Sequence, residues 1–195
     1  MDIFTAIKKE KKYLKRFYIL MLIIAIILPL AIYLTALTTP FFITFLAIIE
    51  FLILVAVVNK INYTKLKYSC SKNRLKFGCG LFAKEYLIFC DKVALVHTEK
   101  TDEDMEIIIV TSVNFKNKGL KPAHKMFLKK YPGLKEDFIK ITKIDKDQIF
   151  YYQVVKRGSL EKYMLLDCIY KNCVKAVYTK DAIQNIKIAR GQMIV

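Results

Sequence analysis

The sequence predicts an α+β protein with an N-terminal two-helix transmembrane hairpin, a cytoplasmic antiparallel β meander and a helical C-terminal part. Three observations lead to this fold class. Two long apolar runs stand near the N-terminus, strictly alternating apolar and polar residues begin soon afterwards, and helical spacing dominates the last third of the chain.

The two apolar runs are long enough to cross a bilayer. Residues 17–37 contain no charged residue, and residues 41–58 contain one, Glu50. As helices, the runs span roughly 31 and 27 Å, close to the hydrocarbon thickness of about 30 Å. The first run is too long for a signal peptide and a second run follows at once, so we expect a hairpin that turns at residues 38–40.

Basic residues flank this hairpin on one side only. The turn between the runs has none, whereas the outer ends carry Lys8, Lys9, Lys11, Lys12, Lys15 and Arg16 before the first run and Lys60, Lys65, Lys67, Lys72, Arg74 and Lys76 after the second. Because basic residues near span ends stay in the cytoplasm, we expect a multi-pass protein of the plasma membrane with both termini cytoplasmic.

The chain divides into four parts. Residues 1–16 form a basic amphipathic segment expected to lie on the membrane surface, and residues 17–58 form the transmembrane hairpin. Residues 59–118 form an antiparallel β unit. Residues 119–195 are mainly helical and either complete the same domain or extend it.

The β unit begins with a strongly alternating stretch. Apolar residues occupy every second position on both sides of a turn at Ser71, Lys72 and Asn73, and the positions between them include Lys65, Lys67, Arg74 and Lys76. This pattern predicts a hairpin with one apolar and one basic face. Further strands are expected at 86–90, 93–98, 106–115 and 148–155.

The C-terminal part carries helix signals. Pro122 suits the first turn of a helix, and Pro132 with Gly133 separates that helix from the next. Ser159 is expected to cap a helix whose apolar positions run as far as Val177. Thr179 is expected to cap a last helix that ends at Arg190.

The stretch at 68–82 resembles the start of the bacterial pleckstrin-homology-like domain of small membrane proteins. The matching positions are Tyr68, Ser71, Arg74, Leu75, Gly80, Leu81 and Phe82, and the preceding hairpin matches the layout. The resemblance covers about residues 60–115 and implies a binding or scaffolding module with no catalytic residues. It also implies about seven strands and one closing helix, so either 148–155 supplies a later strand after an inserted helical pair or only part of that fold is present.

The basic side of the hairpin is a candidate contact for anionic lipid. Its residues, Lys65, Lys67, Lys72, Arg74 and Lys76, follow the second span closely, and each basic residue near an anionic surface contributes about 1 kcal/mol. The alternative is that these residues only set the topology.

The overall charge permits a further alternative, nucleic acid. Residues 59–195 hold 27 basic and 14 acidic residues, a net charge of +13, with tyrosines among them. Lysine with interleaved aromatics can bind single strands. Only four basic residues in the chain are arginine, the preferred phosphate ligand, and the tyrosines have core-like spacing, so we expect nucleic acid not to be the partner.

Glu50 is a candidate partner contact inside the membrane. A mid-bilayer carboxylate costs about 2.5 to 3.5 kcal/mol, so it usually faces a cavity or another protein. We expect a membrane-protein partner or self-association; simple tolerance of one acid in an apolar helix is the alternative.

Signals for an enzyme or a cofactor are missing from the sequence. It has no nucleophile elbow, P-loop or dinucleotide-binding motif, and the two histidines, His97 and His124, stand outside any metal motif. The acidic run Asp102, Glu103 and Asp104 lacks the spacing of a calcium loop and favours a solvated loop.

The cysteines Cys70, Cys79, Cys90, Cys168 and Cys173 include no CxxC pair, so we expect buried reduced thiols and not a metal or redox site. Cys168 and Cys173 are five apart and would not share a helix face. These features predict a protein that is not an enzyme. Together with the binding or scaffolding module that the resemblance implies, they lead us to expect a scaffold or accessory subunit of a membrane assembly.

Overall fold

The computed structural model describes residues 2–35, 39–81, 85–100, 104–115, 117, 119–144 and 148–193, apart from the side chains of Lys125 and Ile144. Within these residues the fold is α+β. The helices are α1 (Ile3–Leu34), α2 (Pro40–Thr64), α3 (Lys125–Lys130), α4 (Lys135–Ile144), α5 (Glu161–Asn172) and α6 (Lys180–Ala189). The strands are β1 (Leu66–Ser71), β2 (Arg74–Cys79), β3 (Tyr86–Phe89), β4 (Val93–Lys100), β5 (Met105–Thr111), β6 (Lys121–Pro122), β7 (Tyr151–Val155) and β8 (Val177–Tyr178).

Helices α1 and α2 pack against each other as a hairpin and are long and apolar enough to span a membrane. No residue of their 18-residue apolar windows is fully buried in the protein. Apolar surface on this scale is not found on ordinary core helices, so these helices need an apolar environment.

The strands form two separate sheets and not one continuous meander. Strands β1, β2 and β3 pair antiparallel in a three-stranded sheet, and the other five form a sheet of order β6-β7-β5-β4-β8. A 3-10 helix at Cys90–Lys92 joins β3 to β4. The strand predicted at 148–155 is β7, which pairs with β5 after the α3–α4 pair.

The five-stranded sheet is covered on both faces. Ile107 and Ile109 of β5 point into a core shared with α5, α6 and the three-stranded sheet, whereas Ile108 and Val110 point into a second core with α3 and α4. All four side chains are fully buried. This is why the strand is an unbroken apolar run and not an alternating one.

The first turns of α1 pack into the domain core and do not lie free on a membrane surface. Residues 1–16 were expected on the membrane surface, but Ile3 is 0% exposed and Ile7 is 8% exposed, and both belong to the larger core. At about 1.5 Å per residue, α1 is about 48 Å long, roughly 18 Å more than a bilayer core. One continuous helix therefore supplies both an apolar span and part of the domain core.

Three local predictions are wrong. Pro122 lies in β6, and α3 begins only at Lys125. Ser159 adopts φ 48° and does not cap α5, whose N-cap is Leu160. Helix α5 ends at Asn172, so Val177 belongs to β8.

The prediction for the helix α6, with its N-cap at Thr179 and its end at Arg190, is confirmed. The Thr179 hydroxyl accepts a hydrogen bond from the Ala182 N–H, Arg190 is the C-cap of α6, and Gly191 adopts φ 70°.

Candidate functional site

The hairpin β1–β2 has the two faces that alternation predicts. Cys70 lies opposite Leu75 and Tyr68 lies opposite Phe77 on the inner side, where Leu75 and Phe77 are buried. Lys72 and Asn73 form the turn with φ 48° and 63°, the left-handed pair of a two-residue hairpin turn.

The structure brings together three of the five basic residues predicted for this site. Lys67, Arg74 and Lys76 lie exposed on the outer face, where Lys76 is opposite Ser69 and Lys67 is opposite Gly78. Lys72 stands at the turn, about 20 Å along the strand from the start of β1. Lys65 is the half-buried C-cap of α2 and lines a crevice of about 300 Å³ with Glu10 and Lys11 of α1.

The outer face combines positive charge with apolar surface. The Arg74 guanidinium lies 5.6 Å from the centre of the Phe89 ring, which in turn lies 5.6 Å from the Phe115 ring. Within the described part of the chain, no ion pair involves Lys67, Arg74 or Lys76. This face can therefore attract an anionic surface without first breaking an internal salt bridge.

Three backbone N–H groups of the domain donate hydrogen bonds to the end of α2. The Gly80 N–H donates to the Lys65 carbonyl (2.7 Å), the Leu81 N–H donates to Asn62 Oδ1 (2.9 Å), and the Gly158 N–H donates to the Tyr63 carbonyl (2.9 Å). Helix C-terminal carbonyls otherwise lack partners, so these bonds both satisfy the helix end and fix its direction.

A buried ion pair lies beside this junction. The Lys162 side chain is 0% exposed; its Nζ lies 2.5 Å from Asp104 Oδ2 and donates to the Lys156 carbonyl at 2.8 Å. The Tyr63 hydroxyl also donates to Asp104 Oδ2, at 3.3 Å. Helix α2, the start of β5 and helix α5 are thus connected through one carboxylate. The sequence pattern did not predict this role of Asp104. Its neighbours Asp102 and Glu103 lie outside the described residues. Phe82, one of the positions that carry the family resemblance, also lies outside them.

Helix α1 is attached to α5 by polar contacts. Lys11 Nζ lies 2.9 Å from Glu161 Oε1, and the Ser159 hydroxyl donates to Glu10. Together with the burial of Ile3 and Ile7, these contacts hold the polar N-terminal part of α1 against the domain.

Glu50 lies midway along α2 and has an unsatisfied oxygen. Its Oε1 is buried, and none of the described groups donates a hydrogen bond to it. The hydroxyls of Thr35 and Thr44 donate instead to the carbonyls of Ala31 and Pro40 in their own helices, both at 2.8 Å.

Four of the five cysteines form a cluster that spacing did not predict. The sulfurs of Cys70 and Cys90 lie 3.6 Å apart, Cys168 contacts Cys70, and Cys173 contacts Cys90. Cys173 joins them because α5 ends before it, so the five-residue spacing no longer sets its direction. Burial and the neighbouring thiols raise the pKa of Cys70, Cys168 and Cys173 to about 11 and that of Cys90 to about 12. Such thiols stay protonated and unreactive near neutral pH.

The histidines are separate from this cluster. His97 is buried, with Nδ1 2.8 Å from Thr179 Oγ1, and His124 is exposed. Across the described residues, no group of three or more His, Cys, Asp or Glu side chains is placed to hold a metal ion.

Known proteins offer no direct parallel. No protein-family model matches the chain, and no curated protein and no solved structure shows significant similarity to it.

Proposed function

We propose that the protein is a non-enzymatic, membrane-anchored scaffold or accessory subunit, which presents its folded domain to a protein partner in a membrane assembly. The domain lies at the inner face of the plasma membrane, with both termini cytoplasmic. In this proposal it is the pleckstrin-homology-like binding module that the hairpin at Tyr68–Leu81 resembles.

The observation that carries the proposal is the continuity between the apolar helices and the domain core. Helix α1 contributes Ile3 and Ile7 to that core, and α2 is hydrogen-bonded to Gly80, Leu81 and Gly158 at its end. A flexible linker would let the domain tumble, whereas one helix that packs into the core and a second that is hydrogen-bonded to the domain hold it in one pose. A fixed pose is useful to a subunit that must meet a partner within the same membrane.

The orientation follows from charge. The basic residues cluster at the domain end of both helices, and the sequence between the helices has none. The rule that basic residues remain in the cytoplasm therefore supports a cytoplasmic domain.

Glu50 supports a contact within the membrane. A buried carboxylate oxygen without a donor is costly, and a donor from another protein would relieve that cost. We therefore assign the partner contact in the bilayer to the part of α2 around Glu50.

The test is affinity purification of the full-length protein in mild detergent after crosslinking, with mass spectrometry of what co-purifies. We expect one membrane protein at a fixed ratio with the wild type, at least tenfold less with Glu50→Leu, and an intermediate amount with Glu50→Gln, which keeps hydrogen-bonding capacity. Thr44→Val is the matched control, because its hydroxyl bonds only within α2. Recovery of the protein alone, or equal recovery of the partner with Glu50→Leu, would refute the proposed contact.

A second candidate function is binding of anionic lipid. The exposed and unpaired side chains of Lys67, Arg74 and Lys76 favour it. In the same purification, this candidate predicts the protein alone with tightly retained anionic lipid.

A further inference from the structure

A row of buried polar side chains lies between β4 and α6, far along the sequence from the predicted site. His97 and Thr98 come from β4 and Asn185 comes from α6, and each is at most 3% exposed. His97 is held by Thr179 on one side and by Glu99 on the other, with His97 Nε2 3.4 Å from Glu99 Oε2. The row is therefore fixed in place by its neighbours.

Asn185 is the incompletely satisfied member of this row. Its Nδ2 donates to Thr98 Oγ1 at 2.8 Å, but its Oδ1 is buried and receives no hydrogen bond from any described group. Buried acceptors are nearly always paired, so an open one indicates a missing donor.

An open cavity of about 390 Å³ lies over this row. Its volume falls in the range of small-molecule sites. Gly133 forms one wall, where a Cβ would lie in ordinary contact with His97 Cε1 at 3.4 Å and Asp181 Oδ2 at 3.7 Å. Ile188 and Met193 provide an apolar side.

The polar part of the cavity is rich in acceptors. Carboxylates come from Glu99 on β4 and Asp181 in the first turn of α6, and the side chains of Gln184 and Asn185 add amide groups to the lining. Lys100 is the single basic residue of the lining. The Thr179 hydroxyl already accepts a hydrogen bond from the Ala182 N–H at the N-terminus of α6, so fewer free N–H groups remain there to bind an anion. The set of groups therefore matches a ligand that donates hydrogen bonds and carries positive charge.

We propose that this cavity binds a small aliphatic amine, of the diamine or polyamine class. Its ammonium group donates hydrogen bonds to Asn185 Oδ1 and to the carboxylates of Glu99 and Asp181, and its methylene chain lies along Ile188 and Met193. The site is independent of the membrane contact proposed above, because it lies on the domain and involves neither Glu50 nor the basic hairpin.

The test is isothermal titration of the full-length protein in detergent with 1,4-diaminobutane. We expect saturable one-to-one binding. The diol 1,4-butanediol, which has the same chain without charge, should bind at least tenfold more weakly. Asp181→Asn and Glu99→Gln should each weaken diamine binding about fivefold, the upper range for a partly exposed ion pair. Glu136→Gln, which removes an exposed charge in the first turn of α4, should leave the affinity unchanged.

A gain of affinity gives a stricter test. Asn185→Asp keeps the size of the side chain and adds a negative charge beside the ammonium, so it should tighten diamine binding. Equal binding of diamine and diol would overturn the proposal. So would an equal effect of Asp181→Asn and Glu136→Gln, because the attraction would then come from overall charge and not from the cavity.

Discussion

At the scale of single residues, Asp167 shows how polar contacts tie the last two helices together. Its carboxylate on α5 lies 2.5 Å from Lys171 Nζ in the same helix and 2.8 Å from Arg190 Nε at the end of α6. Burial alone would raise the pKa of this carboxyl, but hydrogen bonds from Lys171 and Arg190 outweigh it and lower the pKa below 3.8. The ionised form is therefore the one that stabilises the fold.

We expect Asp167→Asn to reduce stability in a pH-dependent way. A folded-state pKa below the unfolded value gives stability that is fully present above about pH 4 and is lost as the pH falls through the folded pKa. Thermal unfolding in detergent should show a loss of about 1 kcal/mol at pH 7, or about 2 to 4 °C, since both cations are partly exposed. The difference should shrink below pH 4. A difference that is the same at pH 3 and pH 7 would contradict this role, and Asp137→Asn, whose pair with Lys140 lies within α4, is the control with little expected effect.

At the scale of elements, the junction between α2, β1 and the segment before α5 depends on Gly158. Its φ is 124°, and a Cβ added there would lie 2.8 Å from Leu66 Cδ2 and 2.9 Å from Leu66 Cβ. Its N–H also donates to the Tyr63 carbonyl at the end of α2. Conformation and space both require glycine at this position.

We expect Gly158→Ala to lower the free energy of unfolding by about 2 kcal/mol or more, because backbone strain of about 1 to 3 kcal/mol adds to the steric contact. Thermal unfolding of the full-length protein measures it. Gly133→Ala is the matched control, since its φ is outside the left-handed region and its Cβ would make only ordinary contacts, with His97 Cε1 at 3.4 Å and Asp181 Oδ2 at 3.7 Å. Equal effects of the two substitutions would show that the junction tolerates a side chain.

Elements were predictable where the signal is local. Alternation at Leu75 and Phe77 predicted the hairpin face, and Thr179 with Gly191 predicted α6, because side-chain period and capping act within a few residues. The break between β3 and β4 was not predictable, since it depends on which strands find partners across the domain. Ser159 was misread because a hydroxyl before a helix satisfies the capping pattern even when it donates to Glu10 on α1.

The residues of the candidate site likewise fall into those whose position could be predicted from local pattern and those whose position could not. The outward position of Lys67, Arg74 and Lys76 followed from period two, and the α2-end location of Lys65 followed from chain order. The pairing of Lys162 with Asp104, the cluster of cysteines and the hydrogen bond from Asn185 to Thr98 join residues 20 to 98 positions apart. One sequence carries no signal that links such distant positions.

At the scale of the whole molecule, the helical hairpin is part of the domain's stability. Ile3 and Ile7 belong to the core that also contains Val96, Ile107 and Ile186. A domain released from the hairpin would expose this core and lose about 1.5 to 3 kcal/mol for each large side chain left unpacked.

We therefore expect residues 59–195, produced alone, to unfold at a lower temperature than the full-length protein. A peptide of residues 2–12 added in trans should raise that temperature, because a ligand that binds only the folded state stabilises it. The same peptide with Ile3→Asp and Ile7→Asp is the control and should have no effect. A fragment as stable as the full chain, or equal effects of the two peptides, would show that the start of α1 is dispensable for the core.

The burial of the first helical turns also sets the timing of biosynthesis. Ile3 and Ile7 leave the ribosome early, whereas Ile186 and Ile188, members of the same core, are made about 180 residues later. At about 5 to 20 residues per second, this delay is about 9 to 36 seconds. The core cannot close during that interval, so the apolar helices must find their environment before the domain folds. The nascent chain is therefore an unfinished domain when its apolar helices emerge, and this core closes only after α6 is released.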